Sequence, residues 1–166
     1  MDFKDLITRI ESSPLFKKTI KATPDLYIVH VFTIMDAQNT NEWDFGYYSK
    51  KLDRITVFKL LNEEITVLPP QEIFKEKGVV RKLALDTVKI SKEKALEHVE
   101  EVVKKNYSAE SLMNAIVLLQ NIKDFGQIWN VTLTTHTFHV LNIKINATTG
   151  AVIKHTRESL LGWNKQ

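Results

Sequence analysis

The chain has no cysteine. Disulfides, thiolate metal sites and a cysteine nucleophile are excluded together, and the composition fits a reducing compartment. Glycine is scarce, with five in 166 residues at positions 46, 78, 126, 150 and 162. No two are close, so no glycine-rich phosphate loop is present. Long apolar runs are missing as well. Stretches such as AIVLL (115–119) fall far short of the roughly 20 residues a membrane-spanning helix needs. The segment MDFKDLITRIESS brings acidic residues at once and holds no apolar run of signal-peptide length. These absences give the expectation of a cytoplasmic protein without membrane contact. In that setting the N-x-S/T triplets at Asn106, Asn130 and Asn146 carry no meaning.

Charge is nearly balanced. The net charge is +3 and the pI about 9.0, well short of the dense basic footprint of a dedicated nucleic-acid binder. Hydrophobic residues make up 43% and charged residues 26%, the profile of a chain that folds into a globular core.

A weak internal match appears when the chain is slid by 86 positions. Trp43 then falls on Trp129, and WDFGYYS (43–49) on WNVTLTT (129–135). Both stretches follow a helical segment. Ser91 is a good N-cap, and Ala95, Leu96, Val99, Val102 and Val103 form one apolar helical stripe that Asn106 ends. Strands follow at 114–121, 128–135, 140–146 and 151–155, each with alternating or apolar patterning. The first half has the same order. Phe3, Leu6, Ile7 and Ile10 make a helical stripe, and Ser13-Pro14 opens a second short helix. Strands are expected at about 25–35, 42–49, 54–61 and 64–68.

The expected fold is therefore α+β, built as two tandem units. In each, a helix packs on its own curled antiparallel four-stranded sheet. The units span 1–70 and 89–157. A connector at 71–88, read as a short helix and an extended segment, joins them. An amphipathic tail, 158–166, follows, with Leu160, Leu161 and Trp163 expected to pack on the body. The strands at 54–61 and 140–146 carry apolar residues on both sides, Phe58 and Leu60 against Val57, and Val140, with Phe138 before it, against Leu141. Either the second side meets the other unit face to face, which is the favoured explanation, or it meets a partner.

The second unit resembles the PepSY domain family. The residues that carry this are ISKEKAL (90–96), Trp129-Asn130-Val131 and IKINATTGAVI (143–153). Ile90, Ser91, Ala95, Trp129, Val131, Ala147, Thr149, Gly150 and Val152 match the family's pattern. Asn146 stands where the family usually has Asp, and Ala151 where it has Glu. The resemblance implies a cystatin-like fold and an inhibitory or regulatory role. Physical chemistry accounts for the pattern. Gly150 suits a turn position with positive φ, Asn146 can bond the turn backbone, and Trp129 places a large ring against the helix. Trp43 has the corresponding place in the first unit.

No nucleophile, base and orienting group can be named, so the chain is expected not to be an enzyme and to need no cofactor. His136 and His139 are three residues apart and point to opposite sides of a strand unless a turn bends them together. With His155 they are read as ordinary turn and strand histidines, and no metal is expected. Glu63-Glu64 and Glu100-Glu101 are read as a turn and a solvated helix face.

The expected function is a non-catalytic, inhibitor-like regulatory module that binds a protein or peptide, as a monomer or weak homodimer. An exposed sheet edge is one route for a peptide. Single-stranded nucleic acid is the alternative. For it, Tyr48 and Lys50 share one side of a strand beside Gly46, with Lys51 in the following turn, so that an aromatic could stack a base next to cations. Phe138 and Val140 are the further candidate contact residues.

Overall fold

The computed structural model describes residues 2–38, 41–73 and 78–162. Helix α1 (Phe3–Ser12) starts where Asp2 accepts a hydrogen bond from the Lys4 amide and ends at Ser13. The Ser13 hydroxyl in turn caps α2 (Pro14–Ala22), with Pro14 at its first position. Four strands follow in meander order: β1 (Tyr27–Met35), β2 (Glu42–Ser49), β3 (Arg54–Leu61) and β4 (Glu64–Val67). After a 3-10 turn at Leu85–Thr87 comes α3 (Lys92–Asn106), capped by Ser91. A second meander completes the chain: β5 (Leu112–Ile122), β6 (Gly126–Thr135), β7 (His139–Asn146) and β8 (Val152–Ser159). No helix among the described residues is long and apolar enough to cross a membrane.

The eight strands form one antiparallel sheet in the order β4-β3-β2-β1-β5-β6-β7-β8. This corrects the expectation of two tandem units with a four-stranded sheet each. The first strands of the two meanders pair with one another, from His30 opposite Gln120 to Met35 opposite Ala115. The reason is physical. Each meander alone would leave its first strand as an apolar edge with unpaired backbone groups, which is an aggregation hazard. Joining the two edges removes both. The halves therefore meet edge to edge, and the face-to-face packing expected of them does not occur.

All three helices lie on one side of this sheet. Phe3, Leu6, Ile7 and Ile10 of α1 and Ala95, Val99, Val102 and Val103 of α3 share a single buried core with Val31, Phe45, Phe58, Val117, Trp129, Val131 and Ile143. The helices do not stay within their own halves. Phe3 meets the ring of Trp129 edge-on at 5.5 Å, and the Lys4 ammonium donates to the Val88 carbonyl at 2.8 Å. Trp129 is fully buried, and its indole N–H donates to the Ile90 carbonyl at 2.9 Å. Trp43 lies on the same side, with the Lys92 ammonium 4.7 Å from its ring centre.

The turn at 146–151 forms as its residues dictate. Gly150 has φ +81°. The Asn146 side-chain oxygen accepts from the amides of Thr148 and Thr149, both at 2.9 Å. Residues 158 and 159 belong to β8 rather than to a tail. Leu161 is 64% exposed, so it does not pack back on the body. Trp163 lies outside the described residues. Among the described residues of the connector, the helical part is the turn at Leu85–Thr87.

Candidate binding cleft on the open sheet face

The side of the sheet away from the helices has no covering layer among the described elements. Its flank on β6, β7 and β8 is polar. Asn142 donates to Asn130 at 2.7 Å, Lys144 donates to Asn142, and burial followed by the nearby Lys154 charge lowers the Lys144 pKa. On β2 and β3, Lys59 pairs with Glu42 and with Asp44. Between these lies an apolar strip on the paired strands β1 and β5, including Phe32, Ile34, Ile116 and Leu118. Ile34 is 42% exposed.

One end of the strip deepens into a cleft of about 530 Å³, within the usual range for ligand sites. Two features build it. First, the connector is pinned across the sheet. Gln71 exchanges both backbone hydrogen bonds with Ile55, each 2.8 Å. Ile73 and Val80 then pack over Val29, Tyr48 and Ile55. Second, the strands β1 and β5 part below His30 and Gln120, and the connector passes between them. The Leu83 amide donates to the Ile28 carbonyl at 3.0 Å on one side. The Asn121 side chain donates to the Lys82 carbonyl at 2.8 Å on the other. Leu83 thus ends in the core on the helix side. The β1–β2 pairing slips between Ile28 and His30, and Val29 and His30 both line the cleft.

His30 forms part of the floor because Gly46 makes room for it. The two residues pair across β1 and β2. A Cβ at Gly46 would fall 2.3 Å from the His30 Cε1 atom, well inside any permitted contact, so only glycine seats the imidazole there. Burial lowers the His30 pKa, and the Asp44 carboxylate opposes the shift only in part. The ring is therefore held mainly neutral at pH 7, ready to donate one hydrogen bond and accept another. Val57 and Leu118 complete the apolar floor, and the rim carries Gln71, Glu72, Arg81, Gln120, Asn121 and Lys123.

The residues singled out from the sequence are dispersed. Tyr48 is on the open side of β2 as its alternation requires, yet it is only 5% exposed. Its hydroxyl donates to the Asp53 carboxylate, and its ring stands edge-on to Tyr27 at 5.7 Å. It therefore offers no free face for a base. Lys50 and Lys51 are exposed in the β2–β3 turn, where the Lys51 amide donates to Asp25 at 3.0 Å. Neither lines the cleft. Phe138 is 60% exposed with φ 60° in the β6–β7 turn, and Val140 is half-buried on β7. Three strands, β1, β5 and β6, separate this pair from Tyr48. Trp43, Trp129, Asn146 and Gly150 take the structural places described above.

The histidines do not converge. His139 Nδ1 lies 3.0 Å from Glu110, and His155 Nδ1 lies 2.7 Å from the Tyr107 hydroxyl. Among the described residues no group of three or more His, Asp or Glu could hold a metal ion. Glu110 instead closes the β6–β7 end. The Thr137 hydroxyl, 2.5 Å away, is the main cause of its lowered pKa, with burial opposing and Thr135 and His139 assisting.

Sequence reasoning missed His30, Arg81 and Lys123, and it placed Gly46 beside Tyr48 without giving it the part of seating His30. A signal existed for the first, since His30 interrupts the apolar run YIVHVFTI.

No family model matches the sequence, and no curated protein does. A similar fold occurs in a Clostridium difficile 630 protein whose crystal structure is described as that of a putative lipoprotein. The TM-score is 0.58 at 16% identity, over 95% of this chain and 93% of that one. At that identity the likeness concerns architecture alone.

Proposed function

We propose that the protein is a non-catalytic binding module whose open sheet face receives a protein or peptide segment. The observation that carries this reading is the cleft itself: an apolar floor on the central strands, walled by a connector pinned at both ends. Central strands with apolar residues on an uncovered side are suited to burying a partner's apolar surface. The PepSY-like signature at 90–96, 129–131 and 143–153 supports a regulatory role of the same kind. The edge strands are weaker routes for strand addition. β4 has four residues, and β8 carries Lys154, Arg157 and Glu158, the charges that protect an edge.

The nucleic-acid reading loses its stacking platform with the burial of Tyr48. A pull-down at two salt concentrations separates the two. Wild type and the Lys50→Glu/Lys51→Glu variant should retain a discrete protein at high salt, and Val57→Arg, checked for folding, should lose it. Recovery of nucleic acid that washes off with salt and is lost in the Lys50→Glu/Lys51→Glu variant would overturn the proposal.

A further inference from the structure

We infer that the cleft takes the C-terminal end of a peptide, with the last side chain, an apolar one, on the floor and the terminal carboxylate at Arg81 and Lys123. This rests on the binding reading above and adds the chemistry of the ligand.

The charge on the rim points to an anion. Arg81 and Lys123 line the cleft, and neither has a hydrogen-bond or ion-pair partner among the described residues. Glu72, the acid among the described rim residues, is exposed and forms an ion pair with Arg54 at 3.6 Å. Among the described residues the rim thus holds two cations without an ion-pair partner beside an apolar floor of Val29, Ile55, Val57 and Leu118. A neutral hydrocarbon placed there would make no use of those cations. An apolar group that carries a carboxylate satisfies both parts of the site, and Arg and Lys both form charge-assisted bonds to such a group.

Two sources supply that chemistry: a fatty acid and a chain terminus. The amides decide for the peptide. The side chains of Gln71 and Gln120 line the same cleft and bond to no described residue. Each offers a carbonyl and two N–H donors, the complement of a peptide main chain. An alkyl chain would make no use of them. The neutral His30 ring adds one more donor and acceptor on the floor. Capture of a terminal carboxylate beside a pocket for the last side chain is a recurrent mode of peptide recognition.

The test uses the whole chain, isotope-labelled, with the backbone amides of Val29, Val57 and Leu118 followed by NMR. The probes are two pools of N-acetylated pentapeptides ending in Leu, Val or Phe. One pool has free carboxylates, and the other is identical but amidated. Dodecanoate is the third arm. The free acids should shift these amides at about tenfold lower concentration than the amidated pool, the size of one hydrogen bond to a charged group. In Arg81→Gln/Lys123→Gln, with an unchanged spectrum elsewhere, that difference should vanish. Equal response to both pools would overturn the carboxylate inference and leave the binding reading standing. Stronger binding of dodecanoate than of any peptide would overturn it in favour of a lipid acid. If neither pool moves these amides the inference falls, and the pull-down decides the binding reading separately.

Discussion

The two sides of the sheet are made by the same strands and differ in almost every other respect. On the helix side, Trp129, Phe45, Phe58 and Ile143 are sealed under three helices in one continuous cluster. On the open side the buried cluster among the described residues is Val29, Tyr48 and Ile55 under the connector, and apolar residues such as Ile34 remain in contact with water. The lesson is a division of labour. Burial on the helix side holds most of the fold, which leaves the open side free to carry polar and charged groups such as His30 and the rim cations.

Substitutions can sharpen or break this comparison, and the largest effect belongs to the helix side. Trp129→Ala removes a fully buried ring that touches Phe3 and bonds Ile90. It should cost about 3–5 kcal/mol in denaturant unfolding. Gly46→Ala, on the open side, should cost about 1–3 kcal/mol, since the new methyl displaces the His30 ring. Much of that cost should disappear in a His30→Ala background. Additive effects of the two changes would show that Gly46 is not the seat of the imidazole. Gly150→Ala tests the helix-side turn. With φ +81° and the His98 ring 3.1 Å from the added Cβ, it should lose about 1–2 kcal/mol.

A smaller effect is set by pH. The His30 pKa is lowered in the folded chain from an ordinary 6.5. Below about pH 6.5 the unfolded chain takes up a proton that the folded chain refuses. The contribution of His30 is therefore complete above that value and is lost as pH falls toward the lowered folded pKa. His30→Gln should flatten this limb of a stability-against-pH profile, and an unchanged limb would mean the ring is not buried. Smallest of all, Ile34→Thr at the exposed end of the apolar strip should change stability by less than about 1 kcal/mol. A loss as large as that of Trp129→Ala would erase the distinction between the two sides.

Much of the secondary structure was legible in the sequence. The caps at Ser13 and Ser91, the two helical stripes and all eight strands lie close to where periodicity puts them, because each is specified by local chemistry. The seam was not. Alternation says which side a residue faces and is silent on which strand lies beside it. The apolar runs YIVHVFTI and AIVLLQ pointed to interior strands, a place that neither β1 nor β5 could hold at the end of a four-stranded sheet. The burial of Tyr48 was hidden for a different reason. It comes from Tyr27 and from Ile73 and Val80, and the connector that supplies the latter has no periodic pattern. The cleft was equally hidden, since His30, Arg81 and Lys123 are brought together only by the seam and the crossing connector.

The central claim is that β1 and β5 join the two meanders into one sheet, and hydrogen exchange tests it most directly. The backbone amides of residues 30–35 and 115–120 that point across the seam should exchange as slowly as those between β5 and β6. Exchange as fast as that on the outer sides of β4 and β8 would mean that the seam is open, and would contradict both the single sheet and the cleft built on it.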